Sequence, residues 1–225
     1  IGAVLLIGYW LAMTLIPTPG MGEPMLEPGA NLAAWIDSFL LPGRMYQKTW
    51  DPEGILSTLP AIGTGILGML AGNLIVSKKS REEKIIWLFT GGFIALAIGH
   101  AWSWHFPLNK NIWTSSFVMV TGGLASLTLA TSMYLVDVIG WKKVAFPGVV
   151  FGSNAITVYV LAGLLGYVFS GIPIAEASIK SHFMELLTGI GTAPKFASFL
   201  YALLYIGVFY MPALFLYKRK IFIKL

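Results

Sequence analysis

Apolar residues recur along the chain in six segments that are separated by polar connections. A helix of roughly 20 residues crosses the hydrocarbon core of a bilayer, about 30 Å thick, and satisfies its backbone hydrogen bonds internally. The pattern therefore predicts an all-α, polytopic transmembrane helix bundle of about six spans. The predicted spans are Ile1 to Ile16, Ile55 to Ser77, Ile85 to Trp104, Trp113 to Ile139, Pro147 to Ser170 and Phe196 to Tyr217.

Lys and Arg residues are distributed unequally between alternate connections. Ten lie at 78–84, at 142–143 and after Tyr217, whereas five lie in the other set. Cytoplasmic connections of membrane proteins retain positive charge. This asymmetry predicts that the first set, and with it the C-terminus, faces the cytoplasm.

Two of the outer connections contain helical apolar patterns, Ala30 to Leu41 and Ile174 to Leu187. We expect short interfacial helices there, with ordinary surface loops as the alternative. The predicted apolar face of the first is formed by Leu32, Trp35, Ile36, Phe39 and Leu40.

Pairs of glycines four residues apart occur in two of the predicted spans, at Gly68 and Gly72 and at Gly148 and Gly152. Small residues at this spacing allow helices in a membrane to approach closely. The pattern predicts helix contacts at these pairs.

Composition agrees with a bilayer as the main partner. The 225 residues are 56% hydrophobic and 11% charged, with a mean hydropathy of +0.76, which is too apolar for the surface of a soluble domain. The net charge of +5 resides beside the apolar segments, so we expect no nucleic-acid partner. The absence of cysteine excludes disulfides and thiolate chemistry. We expect one membrane domain over residues 1–225.

Polar residues at the start of the second span form the first candidate cluster, Asp51, Glu53 and Ser57. Asp51 followed by Pro52 is typical of a helix N-cap with proline at the first helical position. A ligand-binding role for the two carboxylates is the alternative to capping.

The second cluster, Asn109, Lys110, Asn111 and Trp113, precedes the fourth span. Asn111 or Thr114 can cap that helix, and Trp113 suits the membrane interface. The Lys110 ammonium, flanked by two amides, equally suits a phosphate or carboxylate ligand.

The third cluster lies inside a span and includes Asn154 and Tyr159. An unpartnered carboxamide in hydrocarbon costs several kcal/mol, of the order of 2–7, so Asn154 must have a partner. An interhelical hydrogen bond and the lining of a substrate path both remain open.

Histidine is the usual catalytic base near neutral pH, but His100, His105 and His182 have no evident nucleophile or metal-ligand partner in sequence. No HExxH, GxSxG or Walker-type pattern occurs either. We expect no metal, and local chemistry alone names no reaction.

Several longer strings carry a family resemblance. DPEGILSTLPAIGTGILGMLAG (51–72), FPLNKNIWTSSFVMVTGG (106–123), FPGVVFGSNAITVYV (146–160) and YKRKIFIKL (217–225) occur in this order, after YWLAMTLIPTPG (9–20). Together they resemble the heparan-α-glucosaminide N-acetyltransferase family and its bacterial relatives.

The resemblance implies a multi-span enzyme that transfers acetyl from acetyl-CoA to the amino group of a terminal glucosamine. Asp51, Glu53 and Ser57 would orient the amino sugar, and Asn109, Lys110, Asn111 and Trp113 would hold a polar part of CoA or of the acceptor. Asn154 and Tyr159 would line the cavity.

Two departures from the family accompany the resemblance. The catalytic His of the family lies in its N-terminal half, so we expect that His, and further N-terminal spans, upstream of Ile1. The absence of the luminal cysteines of the lysosomal member favours a bacterial relative in an inner membrane.

Two other classes of function remain. A transporter or flippase for a small polar solute or glycan would also use an intramembrane Asn and outer carboxylates. A non-catalytic scaffold would bind no small molecule at these clusters. A homo-oligomer is compatible with each of these readings.

Overall fold

The computed structural model describes residues 1–41, 43, 45–174 and 177–223, and the chain forms two compact units, 1–140 and 141–225. Unit 1 contains α1 (Gly2–Leu15), α2 (Leu32–Leu40), α3 (Thr58–Val76), α4 (Arg81–Trp102) and α5 (Ser115–Met133), which continues as a π-helical turn (Tyr134–Val138). Unit 2 contains α6 (Lys142–Ser153), α7 (Ala155–Gly171), the antiparallel pair β1 (Pro173–Ile174) and β2 (Ala177–Ser178), α8 (Ile179–Gly189) and α9 (Pro194–Lys218).

Four helices are long and apolar enough to cross a membrane: α3, α4, the α5 segment to Val138, and α9. Their apolar windows have a mean hydropathy of 1.4 to 2.0, yet only 11–22% of each window is buried inside the protein. An apolar surface this large needs lipid or protein around it. The chain is therefore an integral membrane protein, and the all-α prediction is confirmed.

The prediction of six spans is too high for the described residues. The predicted span Pro147 to Ser170 is divided at Asn154 into α6 and α7, whose axes differ by 76°, so that this pair supplies at most a fifth span. The predicted span at residues 1–16 corresponds to α1, an apolar helix whose 14 described residues rise about 21 Å.

Short helices are present in both connections where they were predicted, as α2 and α8. Each begins at a polar cap. Asn31 Oδ1 accepts the Ala34 N–H at 2.9 Å, and the Ser178 hydroxyl oxygen accepts the Ser181 N–H at 3.2 Å. A capping box of Ser80 and Glu83 starts α4 in the same way.

Helices α4 and α5 pack most closely, because glycines allow their backbones to meet. A Cβ on Gly123 would lie 2.7 Å from the Gly92 carbonyl oxygen, and one on Gly99 would lie 2.7 Å from the Val120 nitrogen. Within the described residues the predicted contacts at Gly68, Gly72, Gly148 and Gly152 are not made, since apart from the adjoining backbone of the same helix no atom lies within 4 Å of a Cβ built at these positions.

The packed core of unit 1 lies at one end of the bundle. It combines side chains of α1, α2 and the segment that precedes α5, namely Tyr9, Met13, Leu32, Ala33, Phe106 and Ile112. At the other end, Arg81 Nη1 donates to the carbonyl oxygen of Asp137 at 2.5 Å. The basic 78–84 connection and the polar segments before α3 and α5 therefore occupy opposite ends of unit 1, as the charge pattern predicts.

Candidate functional site

Two segments about 60 residues apart in sequence meet at the end of unit 1 that lies opposite the basic 78–84 connection. They enclose a cavity of about 550 Å³, a size within the usual range for small-molecule sites. Its walls combine three aromatic rings, two carboxylates, a lysine and two amides. The lining residues are Tyr46, Gln47, Trp50, Asp51, Pro52, Glu53, Lys110, Asn111 and Trp113.

A smaller hollow of about 250 Å³ adjoins the first. Pro52, Glu53 and Trp113 line both, so the two hollows share a wall. Ser57 lines the second, where its hydroxyl donates to the Gly54 carbonyl oxygen at 3.0 Å. Six of the nine predicted site residues thus surround one pair of hollows.

Asp51 organises the wall formed by residues 46–53. Its Oδ1 accepts the Glu53 N–H at 2.9 Å and its Oδ2 accepts the Tyr46 N–H at 3.2 Å. The prediction that Asp51 caps α3 is wrong, because the N-cap residue of that helix is Ser57. Pro52 and Glu53 lie in a turn before the helix, and the Glu53 side chain is exposed.

Asp37 lies beneath this wall and is 1% exposed. Its Oδ1 accepts the Ile55 N–H at 2.8 Å, and a Cβ on Gly54 would lie 1.9 Å from its Oδ2. Burial raises the pKa of Asp37. The hydrogen bond from the Ile55 N–H lowers this pKa, and the nearby negative charge of Asp51 raises it further. Asp37 therefore holds the backbone at Gly54 and Ile55 against α2, and this backbone continues from the segment that carries Asp51 and Glu53.

Sequence analysis missed Asp37 because it considered only the apolar positions of α2. The buried residues are Leu32, Ala33, Ala34 and Asp37. By contrast Trp35, Phe39 and Leu40 are 41%, 78% and 54% exposed. The available signal was a single carboxylate in an otherwise apolar helix, four residues after a small alanine.

The second wall is a tight turn before α5. Asn109 Oδ1 accepts the Asn111 N–H at 2.9 Å, while the Asn109 N–H donates to Thr114 Oγ1 at 3.0 Å. Thr114 in turn donates to the Pro107 carbonyl oxygen at 3.0 Å. Thr114 occupies the N-cap position without a side-chain capping bond. Asn109 therefore shapes the turn, and Lys110 and Asn111 are the exposed residues that reach the cavity.

Trp113 is held in an uncommon conformation. Its φ of +51° lies in the left-handed region, which costs about 1 kcal/mol or more for a residue with a side chain. Its Nε1 donates to Thr64 Oγ1 of α3 at 3.0 Å, and its ring meets Phe117 edge-on at 5.3 Å. These contacts fix the indole between the two hollows.

Helix α1 supports the same turn from below. The Tyr9 hydroxyl donates to the Ile112 carbonyl oxygen at 2.5 Å, and the Ser115 hydroxyl donates to the Leu6 carbonyl oxygen at 2.6 Å. Tyr9 and Ser115 are both buried. The backbone under Lys110 and Trp113 is therefore anchored to α1, α3 and α5.

Asn154 and Tyr159 belong to unit 2. Asn154 is fully buried at the break between α6 and α7, where its Nδ2 donates to the Ile221 carbonyl oxygen and its Oδ1 accepts the Ile223 N–H, both at 2.9 Å. Of the two predicted roles for Asn154, the structure shows the hydrogen bond. Its partner is the backbone of the segment after α9, whereas the prediction was a bond to another helix. Tyr159 is 77% exposed on α7.

The histidines of unit 1 do not line these hollows. His100 and His105 are both exposed, and neither belongs to the lining of either one. Within the described residues, no group of three or more His, Asp or Glu side chains is placed to hold a metal ion. What the hollows offer is recognition: carboxylates for cationic or hydroxylated groups, an ammonium for anions, and aromatic faces.

These features define a multi-span helical membrane protein with a cavity, lined by aromatic and charged residues, at one end of its first unit. Its sequence is 32% identical over 192 residues to human (Homo sapiens) heparan-alpha-glucosaminide N-acetyltransferase, covering 70% of this chain and 28% of that protein. It is 29% identical over 253 residues to the Mus musculus protein of the same name, covering 96% of this chain and 36% of that protein.

The chain is thus related to the heparan-alpha-glucosaminide N-acetyltransferases over most of its own length, and the predicted family resemblance is confirmed. No family model matches the chain. It spans about a third of the length of these curated relatives.

Proposed function

We propose that this chain is the acceptor-binding part of a membrane-embedded N-acetyltransferase, which moves acetyl from acetyl-CoA to the amino group of a terminal glucosamine or related glycan. The observation that carries the proposal is the meeting of Asp51, Glu53, Lys110 and Trp113 around one cavity, in a relative of enzymes named for this reaction.

The cavity suits an amino sugar by its chemistry. Glu53 is exposed on the shared wall, where a carboxylate can bind the sugar ammonium or pair of hydroxyls. Trp50 and Trp113 offer rigid apolar faces for the ring of a sugar. Lys110 and Asn111 offer donors for an anionic or carbonyl oxygen of the donor or acceptor.

In the reaction, the free amine attacks the thioester carbonyl carbon, a C–N bond forms, the C–S bond breaks and CoA leaves as its thiol. A base must take the ammonium proton, and a His is the usual choice near neutral pH. In this proposal that His is the family residue expected upstream of Ile1. It acts either as the base or as a carrier: in the second case its ring nitrogen first takes the acetyl group from the thioester, CoA leaves as its thiol, and the amine then displaces the imidazole from the acetyl carbon. The residues of this chain bind and orient the two reactants.

The rival function of a transporter or flippase has one structural feature in its favour, the break between α6 and α7. In transporters the polar groups at such a break bind the solute. Here the Asn154 amide is occupied by the backbone of residues 221–223. Of the two functions, acetyl transfer therefore has the better support.

Lys110→Ala in the full-length protein tests the proposal. Loss of the ammonium should raise the KM for one substrate at least tenfold, since a charge-assisted hydrogen bond contributes about 1.5–3 kcal/mol. The matched control is Lys78→Ala, another exposed lysine at the opposite end of unit 1. Transfer from labelled acetyl-CoA is measured beside solute flux in proteoliposomes.

Unchanged kinetics in Lys110→Ala at normal expression would remove this lysine from the site. Flux of an amino sugar without acetyl transfer by the unmodified protein would favour the transporter instead. We also propose that the cavity faces away from the cytoplasm, with the C-terminus inside, in a bacterial inner membrane. Labelling of a cysteine placed at position 110 from outside intact cells tests this orientation.

A further inference from the structure

The last helix of unit 2 ends in a turn that sends the chain back along the protein. The Ile221 N–H donates to the Leu216 carbonyl oxygen and the Lys220 N–H donates to the Tyr217 carbonyl oxygen, both at 3.0 Å. This is the Schellman pattern, and Lys220 has the left-handed φ of +56° that it requires. The turn directs residues 221–223 toward the break between α6 and α7.

Asn154 fastens this returning segment. Its side-chain amide forms one donor and one acceptor bond with backbone groups of Ile221 and Ile223, as a neighbouring strand would. Aromatic rings also pack between α6 and this segment. The ring centroids of Phe146 on α6 and Tyr217 are 5.7 Å apart, and those of Tyr217 and Phe222 are 6.3 Å apart. Helix α6 and residues 218–223 therefore form one surface, here called the C-terminal platform.

The C-terminal platform is strongly cationic. Its exposed cations are Lys142, Lys143, Lys218, Arg219 and Lys220. Among the described residues of unit 2 the one carboxylate side chain is Glu185, on α8. Helix α8 packs near Tyr201 of α9, which is 17 residues and about 26 Å from Lys218 along the helix. Among the residues of unit 2 that the structure describes, the positive charges of the platform therefore have no acidic neighbour.

Large apolar side chains stand exposed among these cations. Trp141, Val144 and Phe146 are 52%, 75% and 40% exposed, and Ile221, Phe222 and Ile223 are 45–48% exposed. Basic residues beside exposed tryptophan and aliphatic side chains are typical of surfaces that lie at the boundary between headgroups and acyl chains. The 76° bend gives α6 a direction different from that of α7, as an interfacial helix requires.

We propose that the C-terminal platform is a binding surface for anionic phospholipid headgroups, and that Asn154 is the residue that assembles it. Lys142 and Lys143 on α6, and the three cations at the end of α9, contact the phosphates. The exposed apolar residues enter the acyl region beside them. This assignment is independent of the proposed acetyl transfer.

Retention of lipid by the purified full chain tests the proposal, with phosphatidylglycerol and phosphatidylcholine offered in equal amounts and counted by native mass spectrometry. The unmodified protein should retain phosphatidylglycerol preferentially. Each basic residue near an anionic surface contributes about fivefold in affinity, so the double variant Lys142→Gln, Lys143→Gln should lose roughly 10- to 25-fold. The charge-matched control is Lys78→Gln with Lys79→Gln in unit 1.

Asn154→Ala separates geometry from net charge, because it leaves every cation in place. It should release residues 221–223 and lower phosphatidylglycerol retention, whereas Asn73→Ala, at an exposed amide of α3, should not. If Asn154→Ala does not fold, the double lysine variant decides. Equal retention of both lipids, equal losses in the two double-lysine variants, or displacement of the lipid by free inorganic phosphate would each overturn the proposal.

Discussion

An alanine at position 54 tests how tightly the wall of the cavity is seated on α2. Its Cβ would lie 1.9, 2.5 and 2.7 Å from Oδ2, Cγ and Oδ1 of Asp37. All three distances are shorter than carbon contacts allow, and the obstructing carboxylate is buried and bound to the Ile55 N–H. Overpacking of this kind costs about 1–3 kcal/mol.

Removing the obstruction should change the effect of the alanine. Asp37→Ala alone leaves the Ile55 N–H without its acceptor, at a cost of about 1–3 kcal/mol. In the double variant the three obstructing atoms are absent, so Gly54→Ala then adds little. The sum of the single effects should exceed the effect of the double variant by the overpacking cost, about 1–3 kcal/mol.

Unfolding of the four proteins in detergent, by SDS titration or heat, measures this coupling. Hydrogen exchange of residues 53–57 should rise in both single variants, because the segment loses its seat. Gly68→Ala is the control within α3, since no described atom lies within 4 Å of its added Cβ. Effects at positions 37 and 54 that add within about 0.5 kcal/mol would refute the contact between them.

Other contacts around the cavity give three further expectations. Because burial raises the pKa of Asp37, the native state binds the Asp37 proton more tightly than the unfolded state does. The free energy of unfolding should therefore fall as pH rises from the ordinary pKa of an aspartate to the raised pKa, and Asp37→Asn should remove this decline. A parallel decline in the variant, by thermal unfolding across pH, would contradict this. Trp113→Phe and Thr64→Val should each cost about 1 kcal/mol through the same hydrogen bond, and their combination should cost no more than either; full additivity would disprove the bond. Ser115→Ala should cost about 0.5–1.5 kcal/mol by removing the hydrogen bond from α5 to the Leu6 carbonyl oxygen of α1, whereas Ser115→Thr should retain the bond; equal unfolding midpoints for Ser115→Ala and the unmodified protein would contradict the reading.

The long spans were predictable because a stretch of roughly 20 apolar residues is stable as a helix in a lipid bilayer and is too apolar to be exposed to water. Helices α3, α4 and α9 begin and end within four residues of their predicted limits. The break at Asn154 was not predictable in the same way, because the apolar sequence continues through it. What decides it is a pairing with residues 221–223, about 70 positions away in sequence.

The apolar face of α2 did not reveal which of its residues are buried, for a physical reason. In water the larger apolar side chains of an amphipathic helix turn toward the protein. Beside lipid they can turn outward, and here Phe39 is 78% exposed while Asp37 is 1% exposed. The glycine spacing in α3 did not identify a helix contact among the described residues either. Gly68 has open space beside it, whereas Gly92 of α4 and Gly123 of α5 meet backbone atoms.

The sequence could predict only that the two polar segments around the cavity lie on the same side of the membrane. Which residues in each segment build the wall, and which are exposed at the cavity, depends on the turns that the segments form. Asp51 and Asn109 use their side-chain oxygens to hold backbone N–H groups. Their neighbours Glu53 and Lys110 are exposed at the cavity. In each segment, then, one polar residue builds the wall and another, one or two positions later, is presented to a ligand. Because the wall residues cannot exchange these duties without losing the turn, the function proposed above assigns substrate recognition to Glu53, Lys110 and the indole between the hollows.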